Sequence, residues 1–277
     1  MGADTLDNFE ELYTPALDAA DAVVLMPPLP DVDRIIVQAS AVELRQDDLE
    51  DLRRALPATF DGLEVQVIAL DESDDGGDRV DVIRPGCSIS SRLSTNGTIA
   101  AIVKHEGQPA LLSNWHILRR SRLKRRGRYD IFQPGRIIGT RALRNVVAQI
   151  VRVDRGMDCG LALLNNSRPY ETNTRITGFE LREVRNPKEG DILEKVGART
   201  DVTRGVVTEV RGIHVKLEPL PDSATEISKG GDSGALWYFP GTGAGAVLHT
   251  YGEKKGEDYA SGRMLSAVQE ALGFELF

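Results

Sequence analysis

No stretch of this 277-residue chain approaches the ~18 apolar residues in a row that a membrane-spanning helix needs. The first residues, with Asp4, Asp7, Glu10 and Glu11, hold no apolar signal core, which argues against secretion. Leu6 stands where an N-terminal myristoylation pattern wants Ser or Thr. Cysteine is scarce. Cys87 and Cys159 are too few for a disulfide framework and fit a reducing compartment, and Cys159 reads as a small core residue. The histidines, His105, His116, His214 and His249, stand without clustered cysteines, which argues against a metal site. The acidic run from Asp71 to Asp78 lacks the spacing and terminal glutamate of a calcium loop, so it reads as a solvated linker. The expectation is a cytoplasmic protein with no metal and no cofactor.

What is present is an ordinary globular composition, 41% hydrophobic and 27% charged, on a chain long enough for one large or two modest cores. The net charge of −8 conceals an asymmetry: residues 1–80 carry 20 acidic and 5 basic side chains, and the remainder 22 and 29. An acidic leader thus precedes a mildly basic body, which points to intramolecular docking. Residues 119–128 hold seven basic side chains in ten. A solvated loop is the plainest reading. An acidic substrate, a nucleic acid or the acidic leader are the alternatives, and nucleic acid is disfavoured because no aromatics are interleaved for base stacking.

Periodicity divides the chain. Residues 1–30 mix a short amphipathic pattern with Met26-Pro27-Pro28-Leu29-Pro30 and read as an arm on the same chain, with a regulatory partner as the other use. Arg34 to Gln38, Gln46 to Leu56 and Leu63 to Leu70 predict a strand, a helix with Leu49, Leu52 and Leu56 on one face, and a second strand. No phosphate-binding glycine loop lies between them, so no nucleotide site is assigned. Beyond Arg84-Pro85-Gly86 strands dominate. Gly97–His105, Pro109–Leu118, Tyr129–Gln133, Arg136–Leu143, Val146–Val153 and Gly160–Leu164 form a first set, with Cys87–Leu93 as a further candidate. Asp191–Gly197, Gly205–Val210, Ile213–Leu217, Gly234–Phe239, Ala244–Tyr251 and Tyr259–Met264 form a second. A closing helix spans Ser266 to Leu272, with Ser266 as N-cap, Gln269 as its capping-box partner and Gly273 as stop.

The chemistry gathers at Lys229-Gly230-Gly231-Asp232-Ser233-Gly234. A serine between an aspartate and a glycine suits a nucleophile that must stand exposed, with the backbone N–H groups of Gly231 and Ser233 converging on an oxyanion. Gly, Asp and Ser are also common turn residues, so the motif needs support. Upstream, Leu111 to His116 is an apolar strand ending in a histidine, and Asp158 opens the apolar run Cys159 to Leu164. The order His116, Asp158, Ser233, at separations of 42 and 75 residues, is one of the known orders of a nucleophilic triad.

These segments, together with Asn114-Trp115-His116-Ile117 and Val196-Gly197-Ala198-Arg199-Thr200, resemble the trypsin/chymotrypsin-like serine protease superfamily over residues 80–277. The closer likeness is to its disulfide-free, cytosolic bacterial and plant branch: Ile117 stands where secreted members have a cysteine. The resemblance implies a mainly β fold, a chymotrypsin-like double antiparallel β-barrel with a small N-terminal α/β leader and a C-terminal helix. Residues 1–80 would be the leader, 81–175 the first barrel with His116 and Asp158, and 176–277 the second with Ser233. It further implies Ser233 as nucleophile, His116 as base, Asp158 as its orienting partner, and Gly231 and Ser233 as the oxyanion hole. Ile227, Thr250, Tyr251 and Gly252 would contact substrate, Thr250 also supporting Asp158. Ile227 occupies the place of trypsin's basic-selective aspartate, so a small or apolar residue before the cut is expected, with Lys254, Lys255, Glu257 and Asp258 near the rim. Asp232 would need a cation in place of the freed N-terminus of secreted members, and Lys229 is one candidate. His249 reads as a neighbour in the wall and the only rival base. His105 and His214 read as solvent-facing. The expected activity is that of an intracellular serine endopeptidase acting on protein or peptide, including a regulated activator protease in a bacterial signalling or defence pathway. The alternative is a catalytically silent binding module on the same fold.

Overall fold

The computed structural model describes residues 12–13, 23–25, 34–40, 46–70, 79–91, 96–118, 129–135, 145–220, 226–254 and 257–277. The basic run at 119–128, the expected strand at 136–143, the acidic linker at 71–78 and most of the N-terminal arm lie outside the described residues.

The leader forms its own sheet. Strands β1 (Val23–Leu25), β2 (Arg34–Ser40), β3 (Thr59–Phe60) and β4 (Leu63–Leu70) lie in the order β1-β2-β4-β3. β2 and β4 run parallel, in register from Arg34↔Glu64 to Ser40↔Leu70, joined by helix α1 (Gln46–Ala55) as a parallel pair requires. Leu52 and Leu56 are buried. Asp61 and Gly62, both at positive φ, make the tight turn from β3 to β4.

Two seven-stranded sheets follow. The first comprises β5 (Ser88–Ser91), β6 (Gly97–Thr98), β7 (Ala101–His105), β8 (Gln108–Ser113), β9 (Asp130–Phe132), β10 (Val146–Asp154) and β11 (Cys159–Leu164), in the order β6-β5-β9-β10-β11-β8-β7. Its edge strands, β6 and β7, are consecutive in the chain with only Ile99 and Ala100 between them. A sheet whose opposite edges are two residues apart must curl back on itself, so the single strand expected at 97–105 is really a corner between the two ends of a barrel. The second sheet comprises β12 (Glu183–Val184), β13 (Ile192–Gly197), β14 (Asp201–Arg211), β15 (His214–Pro219), β16 (Leu236–Tyr238), β17 (Ala244–Lys254) and β18 (Glu257–Met264). Pairing of β17 with β18 closes six of these into a ring, with β12 added outside, parallel to β17.

Each barrel has its own interior. Ile83, Ile89, Ile99, Leu111 and Ile131 fill the first, and Leu193, Val207, Leu217, Trp237 and Val247 the second. A third core joins them. Val103, Leu112 and Leu161 of the first barrel meet Val196, Leu236 and Leu248 of the second, Phe179 and Leu181 of the connector, and Leu265, Val268 and Leu272 of helix α2 (Leu265–Leu272). The tail beyond α2 returns to the first barrel: Lys104 and Glu275 exchange backbone hydrogen bonds of 2.8 and 2.9 Å. Gly273 ends α2 as expected, at φ 65 with its N–H on the Gln269 carbonyl. Ser266 is not the N-cap. Met264 takes that place without a side-chain bond, because the helix begins one residue after β18, and the Ser266 hydroxyl donates to Asn186 Oδ1 instead.

Leu272 is fully buried in the shared core, whereas Ile192 is 48% exposed. Leu272→Ala is expected to cost ~2–5 kcal/mol and Ile192→Ala under about 0.5 kcal/mol, measured by urea denaturation.

Candidate active site

β8 ends at Ser113, earlier than the strand expected to Leu118, because the chain turns sharply over residues 115–118. The Leu118 N–H on the Asn114 carbonyl, 3.0 Å, closes that turn around His116. On the facing strand, the turn from Asp154 to Asp158 is tied by Met157 N–H to Asp154 Oδ1 and Asp158 N–H to the Arg155 carbonyl. Asp158 sits at φ 49, in the left-handed region that non-glycine residues enter at a cost. These two turns bring His116 and Asp158 together. The ring Nδ1 lies 2.9 and 3.0 Å from the two carboxylate oxygens, and the His116 backbone N–H donates to Oδ1 at 3.1 Å. An ionised carboxylate only accepts, so Nδ1 carries the proton and Nε2 is left as the basic nitrogen. Both residues are buried, at 4% and 1% exposure.

The serine loop is seated across the seam between the barrels. Thr98 donates its N–H to the Ser233 carbonyl (2.7 Å) and its hydroxyl to the Gly231 carbonyl (2.8 Å), while accepting from Ala198 N–H. Ser113, three residues before His116, donates its hydroxyl to the Thr98 carbonyl. A side chain on Gly234, at φ 90, would stand 2.2 Å from that Ser113 hydroxyl, so only glycine lets the loop come this close to the histidine strand. Gly231 also has positive φ, 105. The Ser233 hydroxyl donates to the Thr250 carbonyl at 3.1 Å.

Asp232 is completely buried. Its carboxylate accepts from Lys195 Nζ (2.9 Å), the Thr200 hydroxyl (2.6 Å) and the backbone N–H groups of Arg199, Thr200 and Lys229. The cation is therefore Lys195, not Lys229, whose ammonium pairs with Glu226. Lys195 projects inward from β13 at 0% exposure, a position an alternating strand pattern reserves for apolar residues. Burial alone would raise the Asp232 pKa, but Lys195 and Thr200 override it and hold it at about 2. Burial pushes Lys195 in the opposite direction, down, against the pull of Asp232.

Around this loop, Ile227 is fully buried and its N–H donates to the Asp258 carboxylate. Gly252 lies hard against Ser228: a Cβ there would be 2.5 Å from the Ser228 hydroxyl. His249 is fully buried. Its Nδ1 faces the donor Trp237 Nε1 at 3.4 Å, so the proton sits on Nε2, 3.0 Å from the Ser228 hydroxyl. Burial, reinforced by Lys195, lowers its pKa to about 3. That neutral ring is occupied in the second barrel's wall, bonded to Trp237 and Ser228. Thr250 Oγ1 is buried with no hydrogen-bond partner, so the support for Asp158 expected of it is not made. His105 is half-buried, and His214 Nδ1 meets Arg263, so neither is simply solvent-facing. Thr98, Ser113, Asn114 and Lys195 escaped sequence reading. For Lys195 the available signal was a charged residue at an inward strand position.

Among the described residues no group of three or more His, Cys, Asp or Glu is placed to hold a metal ion, and no helix is long and apolar enough to cross a membrane. No protein-family model and no curated protein matches the sequence. Solved structures do match by shape. A glutamic acid specific serine protease, described as using a novel histidine triad in substrate binding, superposes with TM-score 0.55 at 16% identity, covering 70% of this chain and all of its own. Protease A of Thermobifida fusca gives 0.54 at 12%, over 70% of this chain and 98% of that one. The α-lytic protease homolog N4 gives 0.52 at 13%, over 71% and 100%. The fold is thus mainly β, with the chymotrypsin-like architecture of these serine proteases.

Proposed function

We propose that the chain is a serine endopeptidase in which His116, Asp158 and Ser233 act as a triad. The observation that carries this reading is the buried His116–Asp158 pair beside a serine loop held by Thr98, which the strand leading to His116 holds in turn through Ser113. Ser233 would attack the scissile carbonyl as His116 Nε2 takes its proton, giving an acyl-enzyme that water then clears. Asp158 would hold the tautomer and stabilise the imidazolium. The N–H groups of Gly231 and Ser233 would receive the oxyanion. The Asp232–Lys195 pair supports this, since it fixes the loop from within and removes the need for a newly cut N-terminus. Protein or peptide is the substrate class, acted on inside the cell, and a single partner in a bacterial regulatory or defence pathway is a narrower form of the same reading. The Ile227 position and the close approach of Gly252 to Ser228 support a small or apolar side chain before the cut. Asp258, beside Ile227, is the feature that would favour lysine or arginine instead.

The second reading, a silent binding module, is favoured by one observation: the Ser233 hydroxyl donates to the Thr250 carbonyl. Fluorophosphonate labelling separates the two, because only an activated serine reacts. Wild-type protein is expected to label and to cleave a peptide library. Ser233→Ala and His116→Ala should each lose on the order of 10⁴-fold or more, and the double variant should be little worse. Additive losses would dissolve the triad, and a library cut after lysine or arginine would overturn the specificity.

Removing one partner of a buried ion pair strands the other charge. Lys195→Met should destabilise the protein by ~3–5 kcal/mol and abolish labelling of Ser233, while Lys195→Met/Asp232→Asn should regain much of the stability, read by denaturant melts.

The pKa shifts also set an acid limit. His249 is held neutral to about pH 3 in the fold but titrates near ~6.5 unfolded, so the unfolded chain takes up that proton first. Stability should therefore fall as pH drops through that window. Asp232 adds stability above its unfolded value of ~3.9 that is lost as pH falls toward about 2. Thermal melting from pH 7 to 4 should show the first loss, and His249→Gln should flatten it. Because His249 is already neutral in the fold above about pH 3, His249→Gln should leave the pH profile of peptide hydrolysis unchanged.

A further inference from the structure

Asp158 holds its carboxylate against His116 from a backbone conformation that aspartate does not favour, φ 49. Something must oppose its relaxation. Its own N–H reaches the Arg155 carbonyl at 3.2 Å, a local turn bond that moves with the turn. The bond to its main chain from outside the turn is made by Asn114, whose Nδ2 donates to the Asp158 carbonyl at 2.9 Å, beside the bond that the carboxylate accepts from the His116 N–H. Only the amide nitrogen can donate to a carbonyl, so this orientation is forced. It leaves Asn114 Oδ1 buried with no hydrogen-bond partner, on a residue that is 0% exposed.

That orphan oxygen matters. A buried acceptor without a donor is destabilising, whereas an apolar side chain of the same size would fill the space without that penalty. Asn114 is thus a poor choice for stability and a good one for geometry. Its backbone carbonyl also closes the turn that carries His116, through the Leu118 N–H. One residue therefore holds both partners of the pair: His116 by its main chain and Asp158 by its side chain. Thr250, whose hydroxyl is buried without a partner, does not share the task.

We infer that Asn114 is a positioning residue for the proposed triad, pinning the strained Asp158 peptide so that its carboxylate stays on His116 Nδ1. This rests on the peptidase reading for its kinetic consequence, but not for its structural one. Without the amide donor the Asp158 peptide is held only by its local turn bond and by the His116 N–H on its carboxylate, so it can shift out of the left-handed region and loosen the carboxylate from the ring.

The test is Asn114→Leu in the full chain, read in three ways. The melting temperature should change little, since the orphan oxygen is gone while the Asp158 carbonyl loses its donor. The kcat for a peptide substrate should fall on the order of 10²-fold with KM within about twofold, as expected of a misplaced catalytic group. The low-field proton resonance of His116 Nδ1–H against the Asp158 carboxylate should shift or broaden, while the rest of the amide spectrum stays native. Asn114→Ser, small and still a donor, should restore part of both the resonance and kcat, and it serves in place of Asn114→Leu if the latter does not fold. A folded Asn114→Leu with wild-type kcat and an unchanged resonance overturns the inference, as does an Asn114→Ser that behaves no better than Asn114→Leu. If the wild type hydrolyses nothing yet the resonance responds as stated, the positioning role stands and the peptidase reading is what fails.

Discussion

Lys195 and Asp232 face each other with no solvent on either side. Each charge costs several kcal/mol to bury, and the pair repays it only where the remaining lone pairs are satisfied. Here they are, by the Thr200 hydroxyl and by backbone donors from Arg199, Thr200 and Lys229. The aspartate thereby welds the loop before Ser233 to the end of β13 and the turn after it. Gly197 shows how tight the weld is: a Cβ there would stand 2.2 Å from the Asp232 carboxylate. From this fixed point the loop runs outward to the seam, where Thr98, itself held by the Ser113 hydroxyl, takes hold of it. A flexible turn rich in glycine is thus given one shape by contacts at both of its ends.

The placement of strain follows the same logic. Asp158 lies in the left-handed region, and Gly231 and Gly234 have positive φ. All three sit where two elements must approach within van der Waals contact or present a polar group across a gap. The barrels around them are made of ordinary strands with alternating burial, such as β15. Asp61, Glu106, Asn166 and Asp201 also have positive φ, but Asp158 is the one non-glycine residue among these whose side chain belongs to the proposed triad, and the surrounding cores supply the stability that tolerates it.

Much of this was legible in the chain. Alternation and turn residues locate β14 and β15 to within a few residues, because each presents one face to a core and one to solvent, while β11 and β13, buried on both faces, are located by their apolar runs and flanking turns. His116, Asp158 and Ser233 were visible from residue type and order. What could not be read depends on contacts between distant segments. Lys195 looks like a solvated lysine until β13 is seen to point it inward. Thr98 and Ser113 are common strand residues whose meaning comes from the partner loop across the seam. The shared core draws on Val103, Leu161, Val196, Leu248 and Val268, and no local periodicity states that strands of two barrels and a helix turn toward one another. The corner at Ile99 and Ala100 reads locally as continuous strand, since only the closure of the sheet demands a bend there.

The bridge between Lys104 and Glu275 has a consequence for how the chain comes to be folded. A strand near the start of the first barrel completes its edge with residues at the far end of the sequence, and helix α2 covers the face that barrel turns toward its partner. During synthesis, the first barrel emerges with an unpaired edge and an uncovered apolar surface. It stays so until helix α2 and Glu275 have been made. Long-range pairings of this kind close slowly, and exposed edges invite association with other chains. The nascent first barrel is therefore vulnerable from the completion of β11 at Leu164 until helix α2 and Glu275 close over it.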